Sequence, residues 1–436
     1  MFMSKKISIF WFVVLPNTVL LYAGLYVALL LRYGLAPTSK VWSTHVQAFT
    51  PLFFLWLLVL FIHNVFDVAT FRRYSVLFFN LVLGMTVNVF VAITYFYFQP
   101  ELILTPRRLL LILVTVTFFL LLLWHLLVKY FLKNKFTQEL YLFSFNNELS
   151  ELEKEIKRHD YLGFKVLGHL NEQTLFSVQF SQGFGIILPS NLEAKPEVLA
   201  RVYQLRKLGV SFYNHTVFYE DLLRRVYLAR VHEAWFLENI SYTQKPFYAL
   251  VKRVIDFVCG VFGLLVFAVT FPILALAIKL TSSGPVLFIQ ERVGLRGKVF
   301  KVYKYRTMNG PISNTWTSIN DPRITSFGKF LRMSRIDELP QCINLLLGTM
   351  SLVGPRPEQV HLVETLRASI PFYDERHTVK PGITGWAQIN DVYAATKEET
   401  ELKLQYDLYY IKHRSLLFDL EIMLKTIYYV LSWRGR

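Results

Sequence analysis

Four long apolar runs open the chain, near Ile7 to Leu31, Phe49 to Phe66, Val76 to Phe98 and Leu109 to Leu132. Each is close to the length needed to cross hydrocarbon, so the pattern predicts a four-span helical bundle over residues 1–136. Four spans return the chain to its starting side. Lys5 and Lys6 before the first run, Arg72 and Arg73 between the second and third, and Lys129, Lys133 and Lys135 after the fourth mark that side as cytoplasmic. Arg32, Lys40, Arg107 and Arg108 in the opposite loops oppose this assignment, so the orientation rests mainly on the ends. His63, Asp67 and His125 lie at or near span ends, where a wet interfacial position is expected ahead of a proton relay. The first run is too long for a cleaved signal peptide and lacks a small-residue cleavage site, so it is expected in the mature protein.

Over residues 137–240 the pattern turns mixed. ELYLFSF and FGIILPS read as buried strands and Leu149 to His159 as a charged helix, predicting a soluble α/β domain. Asn146-Asn147-Glu148 follow the first strand, where a dinucleotide-binding fold needs closely spaced glycines, so no bound nucleotide is expected there.

Residues 241–436 open with a fifth apolar run, Val254 to Leu280, flanked by Lys252 and Arg253 before and Lys279 after. Basic residues on both flanks, with Pro272 breaking or kinking the helix, predict a segment over 254–280 that enters the cytoplasmic leaflet and turns back. A proline-kinked fifth span is the alternative. Next, GPVLFIQERVGLRGKVFKVYKYRTM reads as a hairpin turning at Gly294 and Gly297. An extended Phe300–Arg306 would put Lys304 and Arg306 on one face beside an apolar wall, suiting a phosphate or merely a solvated strand edge.

The candidate chemistry gathers between Arg323 and Glu358. Asp337 and Glu338 are adjacent, Ser334 is a suitable helix N-cap, and Pro340 is tolerated only in a first turn, so a helix is expected to start at the two acids. That positive helix end, with Arg323, Arg332, Arg335 and Arg356, suits carboxylate and phosphate alike. Neighbouring helical positions diverge by about 100°. One acid can therefore attack while the other holds a metal, unless Ser334 and Asp337 only form a capping box. Gly354-Pro355-Arg356-Pro357-Glu358 fixes the backbone around Arg356, a phosphate clamp or a helix-ending turn. In Lys380 to Asn390, Gly382 and Gly385 allow close backbone approach and Thr384 and Gln388 offer hydrogen bonds. Trp386 is there a stacking surface for a base, or core. Glu398 to Trp433 reads as helices whose tyrosines and basic neighbours suit the headgroup level, with burial in a core as the alternative.

IDELPQ, GTMSLVGPRPE and KPGITGWAQIN occur in order, and together they resemble the bacterial sugar transferases, the monotopic phosphoglycosyl transferases acting on polyprenyl phosphate, over about Lys252 to Arg436. The resemblance implies a catalytic α/β domain with a re-entrant membrane helix, carried behind a Rossmann-like middle domain of regulatory or assembly role. It further implies that Asp337 attacks the β-phosphate of a UDP-sugar, expelling UMP, and that polyprenyl (undecaprenyl) phosphate takes the phosphosugar. This would be the first membrane step of exopolysaccharide, capsule or O-antigen synthesis. Glu338 would hold Mg²⁺, and Lys304, Arg306, Arg323, Arg356, Glu358, Gly382, Thr384 and Gln388 would serve phosphate and nucleotide. Relatives commonly carry Ser before the helix proline where this chain has Phe271, and Gly after the asparagine where it has Asp391-Val392-Tyr393.

Composition agrees with a membrane protein, which the resemblance implies to lie in the bacterial inner membrane with its catalytic part cytoplasmic. The 436 residues are 53% hydrophobic with a net charge of +16. Anionic lipid and phosphate-bearing substrates account for the charge, and without an RNA- or DNA-binding motif nucleic acid is not an expected partner. Self-association is left open. Cys259 and Cys342 give neither a disulfide framework nor metal-ligand spacing. Two rival readings stand: a glycosyl transferase that moves the sugar alone and releases UDP, and a catalytically dead scaffold or sensor, which would have no need of an intact acid pair.

Overall fold

All four N-terminal apolar runs are helices in the computed structural model, which describes residues 2–34, 36–63, 65–66, 74–98, 106–135, 138–143, 149–158, 164–178, 180, 183–189, 196–240, 246–309, 321–390 and 396–431. They are α1 (Phe2–Tyr33), α2 (Ser39–Ile62), α3 (Tyr74–Tyr97) and α4 (Pro106–Lys135). Leu21, Leu25, Phe49, Trp56, Leu81 and Leu113 meet in the centre of the bundle, while Phe54, Phe79, Phe90 and Leu111 face outward. Helices apolar on inner and outer faces alike belong in lipid. The second helix starts ten residues before the apolar run that predicted it: Thr38 caps it, accepting from Val41 N at 3.4 Å, and Trp42 and Val46 already pack on the bundle. His63 and His125 are buried rather than at wet ends. Asp67, Arg72 and Arg73 lie outside the described residues.

The same unit, Met1–Leu222, continues as alternating strands and helices: β1 (Gln138–Phe143), α5 (Ser150–Arg158), β2 (Phe164–Leu170), α6 (Glu172–Ser177), β3 (Gly185–Leu188), α7 (Pro196–Lys207), β4 (Ser211–Asn214) and α8 (His215–Leu223). The sheet is parallel in the order β2-β1-β3-β4, each crossover carrying a helix as parallel pairing requires. In this order β1 lies against β3. The usual dinucleotide-binding sheet has strand 1 between strands 2 and 4, so this arrangement is instead that of flavodoxin-type sheets. Asn146, Asn147 and Glu148 lie outside the described residues.

The second unit is Leu223–Arg436. Val226, Trp235, Phe236 and Ile240 are buried with Leu404, Leu408, Tyr410 and Ile422, and Val226 N donates to Gln405 O at 3.1 Å. Residues 223–240, assigned to the middle domain on sequence, thus pack with the C-terminal unit, because their aromatic side chains complete its core. The unit proceeds through α9 (Glu233–Asn239), α10 (Pro246–Thr281), β5 (Leu287–Val293), β6 (Val299–Tyr305) and α11 (Ser326–Met333). A 3-10 helix (Ile336–Gln341) then runs into α12 (Cys342–Leu347), followed by β7 (Ser351–Val353), α13 (Val360–Ser369), β8 (Gly382–Thr384), α14 (Trp386–Ile389), α15 (Lys397–His413) and α16 (Leu416–Leu431). β5 and β6 form the expected antiparallel hairpin. Gly294 N donates to Lys298 O at 2.9 Å across its turn, where Arg296 and Gly297 take φ of 54° and 75°.

The expected break in α10 does not occur: the helix runs unbroken through Pro272. Packing holds both of its halves. In the first half Lys252 Nζ donates to Asp419 Oδ2 at 2.6 Å, and Arg253 donates to Leu345 O at 2.6 Å and Leu346 O at 2.8 Å, capping α12. Asp256 Oδ1 accepts from Leu352 N at 2.8 Å. In the second half Phe267, Phe271, Leu274 and Ile278 pack with Tyr305, Phe327 and Leu331. Phe271 stacks on Tyr305; the hydroxyl near the proline comes from Thr270, which donates to Val266 O at 2.8 Å. The opposite face is bare: Val258, Phe262, Leu265, Val269, Ile273, Leu276 and Leu280, at helical spacing, are exposed.

The tyrosine-rich stretch expected at the headgroup level is core instead. Leu404, Leu408, Tyr409, Tyr410 and Ile411 of α15 are buried. Apolar exposure lies on α16, at Leu417, Leu420 and Ile427.

Candidate active site

The two acids stand at a junction between helices. Ser334 ends α11 rather than capping a new helix: its N–H and its hydroxyl both donate to Phe330 O, and the N-cap role belongs to Thr325, whose hydroxyl accepts from Gly328 N at 2.9 Å. Arg335 then reverses the chain with φ 59° and ψ 11°, left-handed backbone that is uncommon for a side chain of this size. The chain re-enters a helix at Ile336, which puts Asp337 and Glu338 in its first turn and buries both.

Three cations converge on one oxygen of Glu338. Arg356 Nη2 donates to Oε1 at 2.7 Å, Lys304 Nζ at 3.2 Å, and Arg335 Nη1 lies 3.6 Å away. Asn344 of α12 brings Lys304 there, its Nδ2 donating to Lys301 O at 2.7 Å and its Oδ1 accepting from Tyr303 N at 3.4 Å. Arg292 of β5 holds the turn that carries Arg356, donating to Pro357 O at 3.0 Å. Burial opposes the charge on Glu338, but Arg356, Lys304 and Arg335 outweigh it and hold the carboxyl well below the usual range.

Asp337 is treated in the opposite way. Its Oδ1 is buried without a hydrogen-bond partner. Burial, and then the charge of Glu338, push its carboxyl up to about 6, against the pull of Lys304, Arg335 and Arg332. Two adjacent carboxyls with opposite shifts are the pattern by which a site assigns two different roles.

The other sequence candidates divide. Lys304 and Arg356 join the pair. Arg306 donates its Nε to Met308 O at 3.0 Å, and Arg323 forms a two-pronged contact with Asp321 at 2.9 and 2.6 Å; neither is among the strongest charges acting on the acids. Glu358 is buried in an ion cluster with Lys403, Arg376 at 3.9 Å and Arg292 at 3.8 Å. Gly382 and Gly385 serve close packing of the chain on itself, since a Cβ on either would overlap the backbone of Gly354. Thr384 shares a 2.7 Å hydroxyl contact with Thr426. Gln388 donates to Ile383 O at 3.0 Å and keeps its Oε1 buried and unpartnered. Trp386 is core, stacked on Tyr409 with its Nε1 donating to Arg224 O at 2.8 Å. Pro272 sits within α10, and Asp391, Val392 and Tyr393 lie outside the described residues. Sequence reasoning missed Arg376, Lys403 and Asp407; the four-residue spacing of the last two on one helix was the available signal.

Residues 247–433 match the model of the bacterial sugar transferases. The exopolysaccharide production protein PSS of Rhizobium leguminosarum bv. phaseoli is 40% identical over 190 residues, which cover 41% of this chain and 94% of that protein. The chain belongs to the bacterial sugar transferases. Longer members of the family also match. The UDP-N-acetylgalactosamine-undecaprenyl-phosphate N-acetylgalactosaminephosphotransferase of Aeromonas hydrophila is 42% identical over 219 residues, 50% of this chain and 51% of that protein. The UDP-glucose:undecaprenyl-phosphate glucose-1-phosphate transferase of Escherichia coli K12 is 46% identical over 184 residues, 41% of this chain and 40% of that protein. The chain thus spans about half of these longer bacterial sugar transferases or less.

Proposed function

We propose that this chain transfers a phosphosugar from a UDP-sugar to a polyprenyl phosphate through a covalent intermediate on Asp337. The observation that carries the reading is the unequal acid pair: a carboxylate oxygen on Asp337 with no hydrogen bond, beside a Glu338 held ionised by three cations. An unpartnered carboxylate oxygen keeps its lone pairs for attack. It would bond to the β-phosphorus while the bond from that phosphorus to the bridging oxygen breaks, and the electron pair leaves with UMP. An oxygen of polyprenyl phosphate would then bond to the same phosphorus and release the Asp337 carboxylate. Arg356, Lys304 and Arg335 would meet the charge that grows on the phosphoryl oxygens.

Among the described residues no three His, Cys, Asp or Glu side chains gather as a metal cluster. Magnesium needs only one or two carboxylates when substrate phosphates supply the rest, and the second oxygen of Glu338 offers such a donor while Asp337 Oδ1 stays unpartnered. We assign the metal to Glu338, whose cation contacts all run to Oε1. When bound, the ion neutralises phosphate charge as a Lewis acid.

Helix α10 supports one-sided membrane attachment. Both halves pack on a single unit and the other face is a continuous apolar stripe. A helix so placed lies in the interface or dips into one leaflet with both ends on the same, cytoplasmic, side. Relatives named for UDP-sugars and undecaprenyl phosphate, and one named for exopolysaccharide production, support the substrate classes and the setting. The test is nucleotide identification after incubating the full chain with a panel of UDP-sugars and polyprenyl phosphate. UMP supports the reading, and UDP would mean transfer of the sugar alone.

A further inference from the structure

Lys403, Asp407 and Tyr410 stand at i, i+4 and i+7 on α15, so they form one stripe. All three are buried, and all three act on the segment Val353–Glu358. Tyr410 Oη stands 3.3 Å from Val353 O and 2.8 Å from Asp419 Oδ1, the nearer acceptor of its one proton. Asp407 Oδ2 accepts from Arg376 Nε at 3.0 Å, and Arg376 Nη2 donates to the carbonyl of Arg356 at 2.8 Å. Lys403 pairs with Glu358. Arg376, only 2% exposed, gives its remaining nitrogen to Tyr373 Oη at 2.9 Å.

Burying this many charges is weak evidence of a stabilising role, because desolvation takes back much of the Coulombic gain and apolar side chains would fill the same space. What the cluster does have is direction: its contacts converge on the backbone from which the Arg356 guanidinium reaches Glu338 at 2.7 Å. Asp407 and Lys403 are not among the strongest charges acting on either acid.

We propose that the Lys403/Asp407/Tyr410 stripe, with Arg376, is a positioning device that sets where Arg356 stands against the acid pair. The proposal rests on the reading of Asp337 and Glu338 as the reacting pair. Positioning errors of about 1 Å can cost on the order of 100-fold in rate, so the device matters even though none of its members meets substrate.

The test uses Asp407→Asn in the full-length protein. Three quantities are read: the rate of phenylglyoxal modification at Arg356 by mass spectrometry without substrate, the rate of UMP release, and the thermal melt. If Arg356 is displaced from Glu338, its guanidinium should react several-fold faster, and turnover should fall roughly 10- to 100-fold. In an Arg356→Ala background the same substitution should leave turnover unchanged, since its effect runs through Arg356. A lower melting temperature with unchanged Arg356 reactivity and unchanged turnover per folded molecule would overturn the proposal, as would additive losses in the double variant. If Asp407→Asn does not fold, Lys403→Gln and Tyr410→Phe carry the same comparison. Absence of UMP from the wild-type protein counts against the functional reading alone, because the modification arm needs no turnover.

Discussion

Arg356 donates to Glu338 at 2.7 Å and thereby keeps ionised the charge that raises its neighbour, Asp337. The two carboxyls are one residue apart and share one burial environment. Their difference comes from the cations, three of which meet at Glu338 Oε1, while Asp337 Oδ1 has no hydrogen-bond partner.

A pH dependence follows. In the proposed reaction Asp337 would attack only when ionised, and its carboxyl is pushed up to about 6. Below that value the protonated acid dominates and the first step should slow about tenfold per pH unit; above it the rate should level off. Single-turnover UMP release between pH 5 and 8, with magnesium saturating, reads this directly. A rate flat down to pH 4.5 would mean that Asp337 carries no such shift.

Glu338→Gln keeps the shape of the side chain and removes its charge. It should weaken the magnesium requirement's apparent affinity by roughly 10-fold or more and lower turnover at saturating metal as well, because Arg356 and Lys304 lose the anion that orients them. The check is a magnesium titration of UMP release. An unchanged midpoint would remove the metal from Glu338.

Much of this site was legible in the sequence, and the reasons for the rest are specific. The acid pair and Arg356 were found because short motifs carry them, and Lys304 because strand alternation sets it on one face with Arg306. Arg323 does not join the acids' cluster, because Asp321, two residues away, takes its guanidinium locally. The helix start at the two acids was read correctly, but its cap was not: Ser334 ends the preceding helix, and the new one begins after a left-handed Arg335 that no propensity favours. Lys403 and Asp407 were hidden in a tyrosine-rich helix whose composition suits the membrane surface as well as a core. In the fold, the hairpin and the strands β1 and β3 were read from alternation and apolar runs. The sequence left α10 open between a break and a kink at Pro272; the helix continues through the proline, with Phe267, Phe271 and Ile278 holding its second half against the unit.

The topology of α10 is open to a direct check. Phe247 and Leu280 are exposed near its two ends. With Cys259 and Cys342 replaced, Phe247→Cys and Leu280→Cys should both resist an impermeant thiol reagent in intact cells and both react once the cells are opened. Labelling of Leu280→Cys alone from outside would make α10 a span and remove Asp337 from the compartment that holds nucleotide sugars.

The central claim is that Asp337 becomes covalently phosphorylated by the sugar phosphate. The most direct measurement is intact-protein and peptide mass spectrometry of the full chain after incubation with a UDP-sugar in the absence of polyprenyl phosphate. The account predicts one added sugar-phosphate per chain, located on the peptide bearing Asp337, lost on addition of polyprenyl phosphate and absent from Asp337→Asn. An adduct on another residue, or UMP release that persists undiminished in Asp337→Asn, would contradict it.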